Sequence, residues 1–100
     1  MLEKQIEARL RNKIKSLGGI CFKFESPGYT GVPDRLILLP GGIVVCAELK
    51  APGKLERRRQ CYVQSQIRKL GFTVWSGVDS YQAVDALVEF CKSRMGGDAV

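Results

Sequence analysis

Three segments of the chain carry apolar side chains at the three- and four-residue spacing of an α-helix. In the first segment these residues are Leu2, Ile6, Leu10, Ile14 and Leu17. The second segment runs from Leu55 to about Leu70, and the third follows Ser80, whose hydroxyl suits a helix N-cap. The pattern therefore predicts three amphipathic helices.

Four shorter segments have the composition of β-strands: 20–24 (ICFKF), 35–40 (RLILLP), 43–49 (IVVCAEL) and 72–78 (FTVWSGV). The second and third are separated only by a proline–glycine–glycine turn, which predicts an antiparallel hairpin. The third and fourth are separated by a predicted helix, which favours a parallel, right-handed crossover. The expected fold is α/β, with a mixed four-stranded sheet flanked by helices in the order α-β-β-β-α-β-α.

The length of 100 residues suits one domain, which we expect to span residues 1–94, with a flexible tail at 95–100. No apolar run approaches the roughly 20 residues that a membrane span requires. The first fifteen residues are charged throughout and lack the apolar core of a signal peptide. The sequence therefore predicts a soluble cytoplasmic protein with no membrane partner.

The residue types that are present limit the chemistry. The chain has four cysteines with no C-x-x-C spacing and no histidine, which disfavours structural zinc and removes the commonest general base. We expect the cysteines to be reduced and buried. An enzyme of this composition would depend on carboxylates, lysine and a hard metal ion. The net charge of +6 supports a polyanion partner, although a merely solubilising charge is the alternative.

Charged residues lie at the ends of the two most hydrophobic segments: Asp34 before the second strand, and Glu48 and Lys50 at the end of the third. If the turn has three residues, Leu39 pairs with Ile43, and counting back places Asp34 opposite Glu48. A two-residue turn would instead put the two carboxylates on opposite faces. Lys50, two positions beyond Glu48, points to the same side of the sheet.

Two adjacent carboxylates repel each other unless a cation or a proton relieves the repulsion. Lys50 could neutralise one of them, and a divalent ion would hold both, for which oxygen ligands suit Mg²⁺ or Mn²⁺. For a single residue, an ordinary strand-end charge is the simpler explanation. Three such residues in register, after Pro33 and before the turn-forming segment APGK, favour a site.

The strings GVPD and AELK, about a dozen residues apart, resemble the D-(x)n-E-x-K motif of the PD-(D/E)xK nucleases. The fuller string SPGYTGVPDRLILLPGGIVVCAELKAPGK, with a helix before it and RRRQ after it, resembles the virus-type replication-repair nuclease domain, VRR-NUC, in its stand-alone phage or prophage form. The resemblance implies a metal-dependent DNA endonuclease that hydrolyses phosphodiester bonds, with no small-molecule cofactor besides Mg²⁺ or Mn²⁺.

The resemblance also implies roles for single residues. Asp34 and Glu48 would bind the metal with the backbone carbonyl of Leu49, and Lys50 would position or activate water. Gln60 would hydrogen-bond a metal-bound water or a phosphate.

The family carries a further glutamate on the first helix, which can bind the metal through water. Glu7 lies about three turns before the first strand, the usual distance in the family. Glu3 lies nearer the middle of the apolar face. We choose Glu7, with Glu3 as the alternative.

Several further residues are candidates for binding DNA. A basic cluster at the start of the second helix consists of Lys54, Arg57, Arg58 and Arg59. Cations oppose the positive end of a helix dipole, so this placement indicates a phosphate partner, and a solvated basic face is an equal alternative. The other candidates to line a DNA groove are Lys23, Tyr29 and Arg35.

The stand-alone members of the family resemble Holliday-junction resolvases, which suggests a homodimer that cleaves branched DNA. We expect the partner surface on the third helix, with Trp75 and Val78 of the strand before it. The alternatives are a monomeric flap or branch nuclease and a DNA-binding module that has lost catalysis.

Overall fold

The computed structural model of the chain describes residues 2–96. Its elements are α1 (Glu3–Ser16), β1 (Ile20–Lys23), β2 (Arg35–Leu39), β3 (Ile43–Leu49), α2 (Arg58–Lys69), β4 (Thr73–Val78) and α3 (Tyr81–Arg94). The strands form one sheet in the order β1-β2-β3-β4, in which β1, β2 and β3 are antiparallel and β4 is parallel to β3. The predicted fold class and element order are confirmed. The predicted tail begins where α3 ends, and residues 97–100 lie outside the described part.

The main core lies between one face of the sheet and the helices α1 and α3. The α1 stripe enters it through Ile6, Leu10 and Ile14, all of which are fully buried. The apolar residues of α3 also face this core, together with Val78 of β4: these are Val84, Leu87, Val88 and Cys91. The expectation that this α3 surface is left for a partner is therefore wrong, because the sheet and α1 already cover it. The Ser80 hydroxyl accepts a hydrogen bond of 3.0 Å from the Ala83 N–H and caps α3 as predicted.

The helix α2 covers part of the opposite face of the sheet. Cys46 and Val74, which alternate with residues of the main core, are buried on that face, as is Val63 of α2. The helix begins at Arg58 rather than at Leu55, whose side chain is 89% exposed. Pro52 and Gly53 turn the chain after β3, and residues 54–57 reach α2 without forming a helix. Because α2 packs against β4, the face of β1 and β2 stays open.

The β2–β3 hairpin has the register that places the carboxylates together. Leu39 pairs with Ile43 and Arg35 pairs with Ala47. The three-residue turn contains Gly41 and Gly42 at φ values of 88° and 76°, which side chains other than glycine rarely adopt. The prediction of a three-residue turn is confirmed.

A bulge interrupts the β3–β4 pairing beside Glu48. Ala47 pairs with Trp75, whereas Leu49 pairs with Val78, so β4 carries one more residue than β3 over this interval. Gly77 supplies a positive φ of 67° at the bulge. Bulges bend a strand and re-aim its neighbours, and they recur beside active sites.

Three of the four cysteines are buried, as predicted, but Cys61 on α2 is exposed. Burial raises the pKa of the Cys21 and Cys91 thiols to about 11. All four are free thiols. Within residues 2–96 we find no helix with the length and apolar character to cross a membrane.

The loop between β1 and β2 is held against α2 at Gly31. A Cβ atom there would lie 2.9 Å from Cγ of Arg59, 3.0 Å from the Arg59 carbonyl oxygen and 3.0 Å from Cγ2 of Val63. The φ of Gly31 is 89°. Gly28 in the same loop has a similar φ of 84°, but nothing lies within 4 Å of its Cβ position. Alanine substitutions at the two positions would therefore separate the energetic cost of a positive φ, which both share, from the cost of steric overlap with α2, which only Gly31 has.

We expect Gly28→Ala to lower the free energy of unfolding by ~1 kcal/mol, because alanine opposes a positive φ. Gly31→Ala adds steric overlap with α2 and should cost on the order of 3 kcal/mol. Urea unfolding of both variants measures the difference. Equal losses would mean that the loop does not pack on α2 at Gly31.

Candidate active site

Asp34 and Glu48 lie opposite each other, one step beyond the last paired residues of β2 and β3. Each carboxylate accepts a hydrogen bond from the backbone of the other strand. The Asp34 N–H donates to Oε1 of Glu48 at 3.1 Å, and the Leu49 N–H donates to Oδ1 of Asp34 at 3.0 Å. The two side chains therefore close the end of the hairpin and are fixed on one face of the sheet.

Glu48 is 4% exposed, and its second oxygen is bound by polar groups. Nε2 of Gln60 donates to Oε2 of Glu48 at 3.1 Å, and Nζ of Lys50 lies 3.6 Å from the same atom. Oε1 of Gln60 accepts from Nζ of Lys50 at 2.9 Å and from the Arg57 N–H at 2.8 Å. Gln60 thus joins the start of α2 to the lysine and the buried carboxylate.

The environment of Glu48 favours its neutral form. Burial, and secondarily the negative charge of Asp34, raise the pKa of Glu48 to about 7. Lys50 and the Asp34 N–H act in the opposite direction without cancelling this effect. A second positive charge near the pair would offset the repulsion by Asp34, which is the smaller of the two effects that raise the pKa of Glu48.

The two carboxylates open into a cleft of about 440 Å³. Its lining residues are Thr30, Gly31, Val32, Asp34, Glu48, Arg57, Arg59 and Gln60. The cleft therefore combines an acidic floor with a basic rim. This charge distribution suits a bound cation beneath an anionic substrate.

Both candidate α1 glutamates lie around another cleft. The Glu7 carboxylate binds the Arg11 guanidinium at 2.9 and 3.2 Å. Glu7 and Glu3 line that cleft together with Lys23 and Arg35, and it shares no lining residue with the Asp34–Glu48 cleft. The structure thus brings Asp34, Glu48, Lys50 and Gln60 together and leaves both glutamates apart from them.

Arg35 lies on the α1 side of the sheet and is 7% exposed. Its Nη1 donates to the Asp34 carbonyl at 2.9 Å and lies 3.2 Å from Oδ2 of Asp34. Its Nε is buried without a hydrogen-bond partner among residues 2–96. Arg35 therefore contacts Asp34 from the α1 side of the sheet, and its burial leaves little of its side chain for a DNA groove.

The other predicted DNA-binding residues are exposed. Lys23 is on the edge strand β1, with Nζ 3.8 Å from the Glu25 carboxylate. Lys54 and Arg58 flank the start of α2, and Arg57 and Arg59 reach the rim of the cleft. Tyr29 lies in the loop held by Gly31 and is 47% exposed.

Three supporting residues were missed by the sequence reasoning. Oε2 of Glu56 accepts hydrogen bonds from Nε2 of Gln64 at 3.2 Å and from the Gly77 N–H at 3.1 Å. These bonds tie the segment before α2 to the bulge of β4. Gln64 lies one helical turn after Gln60, and that spacing was the signal available in the sequence. The contact with Gly77 spans 21 residues and had no such signal.

The donor set at the acidic pair suits Mg²⁺ or Mn²⁺. Two carboxylates supply hard oxygen ligands, which these ions prefer. Within residues 2–96, no three His, Cys, Asp or Glu side chains converge as a group that could hold an ion. A metal at Asp34 and Glu48 would thus need further oxygen ligands from the backbone, water or substrate.

Comparison with known proteins places the chain in a family. No family model matches the sequence. "Putative nuclease p44" of Acyrthosiphon pisum secondary endosymbiont phage 1 is 42% identical over 72 residues, which are 72% of this chain and 77% of that protein. A solved structure described as "VRR_NUC domain" superposes with a TM-score of 0.79 at 28% identity, covering 87% of this chain and 94% of that one. The chain therefore belongs to the VRR-NUC family and is a nuclease of that type.

Proposed function

We propose that the protein is a Mg²⁺- or Mn²⁺-dependent endonuclease that cleaves branched DNA as a homodimer in the cytoplasm of a bacterial or phage-infected host cell. The observation that carries the proposal is the facing pair Asp34 and Glu48 beneath an arginine rim. Two buried or half-buried carboxylates side by side repel each other, and a bound divalent cation would relieve that repulsion. A metal-dependent nuclease would use the same cation in catalysis.

Asp34 and Glu48 would hold the ion, with the Leu49 carbonyl completing the protein ligands. When bound, the ion polarises the phosphoryl oxygen and lowers the pKa of its water. Glu7 would join through water, with lone pairs beyond those that accept from Arg11, but it lines the neighbouring cleft and would have to turn towards the pair.

Lys50 would act on the reacting phosphate rather than contribute to the stability of the fold. Its Nζ lies 3.6 Å from Oε2 of Glu48, and Oε1 of Gln60 holds it there. A fixed positive charge at that point stabilises the negative charge that develops during phosphodiester cleavage. Gln60 orients this lysine and also bonds Glu48, so we assign it a positioning role.

Metal binding and catalysis can be separated by comparing three variants. Mg²⁺ should raise the melting temperature of the unaltered protein, because a ligand that binds only the folded state stabilises it. Asp34→Asn and Glu48→Gln should lose both this rise and all cleavage of DNA. Lys50→Ala should keep the rise but lose roughly 10²- to 10³-fold in turnover.

Differential scanning fluorimetry and cleavage of a labelled junction provide the two readouts. Cleavage in excess chelator, or unchanged cleavage by Asp34→Asn, would contradict the assignment. A folded, metal-binding protein that cleaves no junction, flap or duplex would instead support the catalytically silent module.

The basic rim would bind the phosphates of the substrate. Arg57 and Arg59 line the cleft, and Lys54 and Arg58 are exposed beside it. The helix dipole of α2 points its positive end to the same place. This concentration of positive charge favours the DNA backbone as its partner.

We expect Arg57→Ala combined with Arg58→Ala to weaken DNA binding and to reduce the slope of log K against log salt by about 0.9 per lost phosphate contact. The control is Lys15→Ala combined with Arg94→Ala, which removes the same charge from α1 and α3. Fluorescence anisotropy at several salt concentrations gives both slopes. Equal slopes for the two double variants would place the DNA elsewhere.

The dimer contact belongs on the open sheet face, defined as Ile20, Phe22, Phe24 and Leu38. Their exposed fractions are 54%, 45%, 36% and 36%. Ile20 pairs with Leu38, so these side chains adjoin on one face, and Asp34 follows on the same face. An apolar patch of this kind does not suit DNA phosphates. In a two-fold dimer the same patch of a second copy would pack against it and bury both.

Phe22→Asp should convert the dimer to a monomer of 11.1 kDa at micromolar concentration, since it places a charge in the contact. Leu70→Asp, at a residue 76% exposed at the end of α2, should leave the dimer intact. Light scattering measures the mass, and sequencing of the cut ends tests for symmetric nicks in a four-way junction. A monomeric unaltered protein would favour flap cleavage instead.

A further inference from the structure

Two exposed tyrosines share one arginine at the rim of the active-site cleft. The Arg59 guanidinium carbon lies 4.9 Å from the ring centroid of Tyr29 and 5.6 Å from that of Tyr62. Tyr29 is 47% exposed and Tyr62 is 52% exposed. About half of each aromatic residue is therefore available to a ligand.

The aromatic pair is continuous with the cleft that contains the two carboxylates. Arg59 lines that cleft directly. Tyr29 lines an adjoining cleft of about 400 Å³, and the two clefts share Thr30, Gly31 and Val32 as walls. A strand of DNA with its phosphate at Asp34 and Glu48 thus has an aromatic surface within reach on one side.

Arg59 and the loop that bears Tyr29 are joined before any ligand binds. Nε of Arg59 donates to the Thr30 carbonyl at 3.1 Å, which joins α2 to the loop. Gly31 permits the close approach of the same two segments. A rigid aromatic surface loses little conformational entropy on binding, and this raises its affinity for a flat ligand.

Nucleobases are such ligands, but only when they are unpaired. In a duplex each base is already stacked on its neighbours, and its flat faces are closed to a protein side chain. Where a strand leaves the helix, as at a branch, the exposed base can stack on tyrosine, which contributes ~1–3 kcal/mol per base. The adjacent arginine attracts the phosphate that follows the base.

We propose that Tyr29, Tyr62 and Arg59 form a stacking platform for unpaired bases next to the scissile phosphate. This inference rests on the proposed nuclease function and specifies its substrate as branched DNA in which a base beside the cut is unpaired or unstacked. Tyr29 and Arg59 were predicted to contact DNA, whereas Tyr62 adds the second ring.

Binding without cleavage tests the platform. In excess chelator, a labelled single-stranded oligonucleotide and a duplex of the same sequence are titrated separately with the intact protein. We expect Tyr29→Leu and Tyr62→Leu each to weaken single-strand binding roughly 5- to 100-fold and to leave duplex binding within about twofold. Tyr29→Phe and Tyr62→Phe should bind as the unaltered protein does, because they keep the ring.

Tyr81 supplies the matched control. It is 37% exposed, and the guanidinium carbon of Arg9 lies 4.6 Å from its ring centroid. This pair lies on the α1–α3 side of the molecule, away from the cleft. Tyr81→Leu should leave single-strand binding unchanged. Melting temperatures of all five variants establish that they are folded.

Three outcomes would overturn the platform: equal loss of single-strand and duplex binding in the leucine variants, equal loss in the phenylalanine variants, or no loss at all. None depends on cleavage. Failure of the nuclease assignment would instead appear as absent cleavage by the unaltered protein with Mg²⁺, so the two failures are distinguishable.

Discussion

The antiparallel pairing of β2 with β3, in the register set by a three-residue turn, is the constraint on which the site depends. Because side chains alternate along a strand, a shift of one residue would move Asp34 and Glu48 to opposite faces. The turn glycines at φ 88° and 76° permit this connection. The backbone hydrogen bonds between the two strand ends then hold each carboxylate against the other strand. Two residues distant in sequence thereby share one point in space.

The neighbouring elements supply polar partners for the buried carboxylate at that point. A carboxylate 4% exposed needs polar partners, and Glu48 finds them in Gln60 and, at longer range, Lys50. Gln60 can reach it because α2 begins at Arg58, and the segment before α2 is tied to the β4 bulge through Glu56. The loop that bears Tyr29 is fixed to the same helix at Gly31. The supports of the cleft thus converge on the first turns of α2.

Sequence reasoning succeeded where the determining interaction was local or periodic. The hairpin register follows from counting around a glycine turn, and the α1 stripe follows from helical spacing. It failed at the start of α2, because Leu55 fits the helical spacing but residues 54–57 are held by a contact 21 residues away. Alternation in β1 also could not show which face is buried. Cys21 enters the core, whereas the larger Ile20 and Phe22 remain on the open face because α2 packs against β4 and does not cover β1. The i,i+4 spacing allows the ion pair of Glu7 with Arg11, but it could not show that Glu7 lines a cleft other than that of Asp34 and Glu48.

In the proposed mechanism the acidic pair holds the metal ion, and the helices and loops position the pair. Anomalous diffraction from crystals soaked in Mn²⁺ tests this most directly, since it locates the ion without reference to activity. We expect a peak within about 2.0–2.3 Å of carboxylate oxygens of both Asp34 and Glu48. A peak in the cleft of Glu3 and Glu7 alone, or none at the pair, would contradict it.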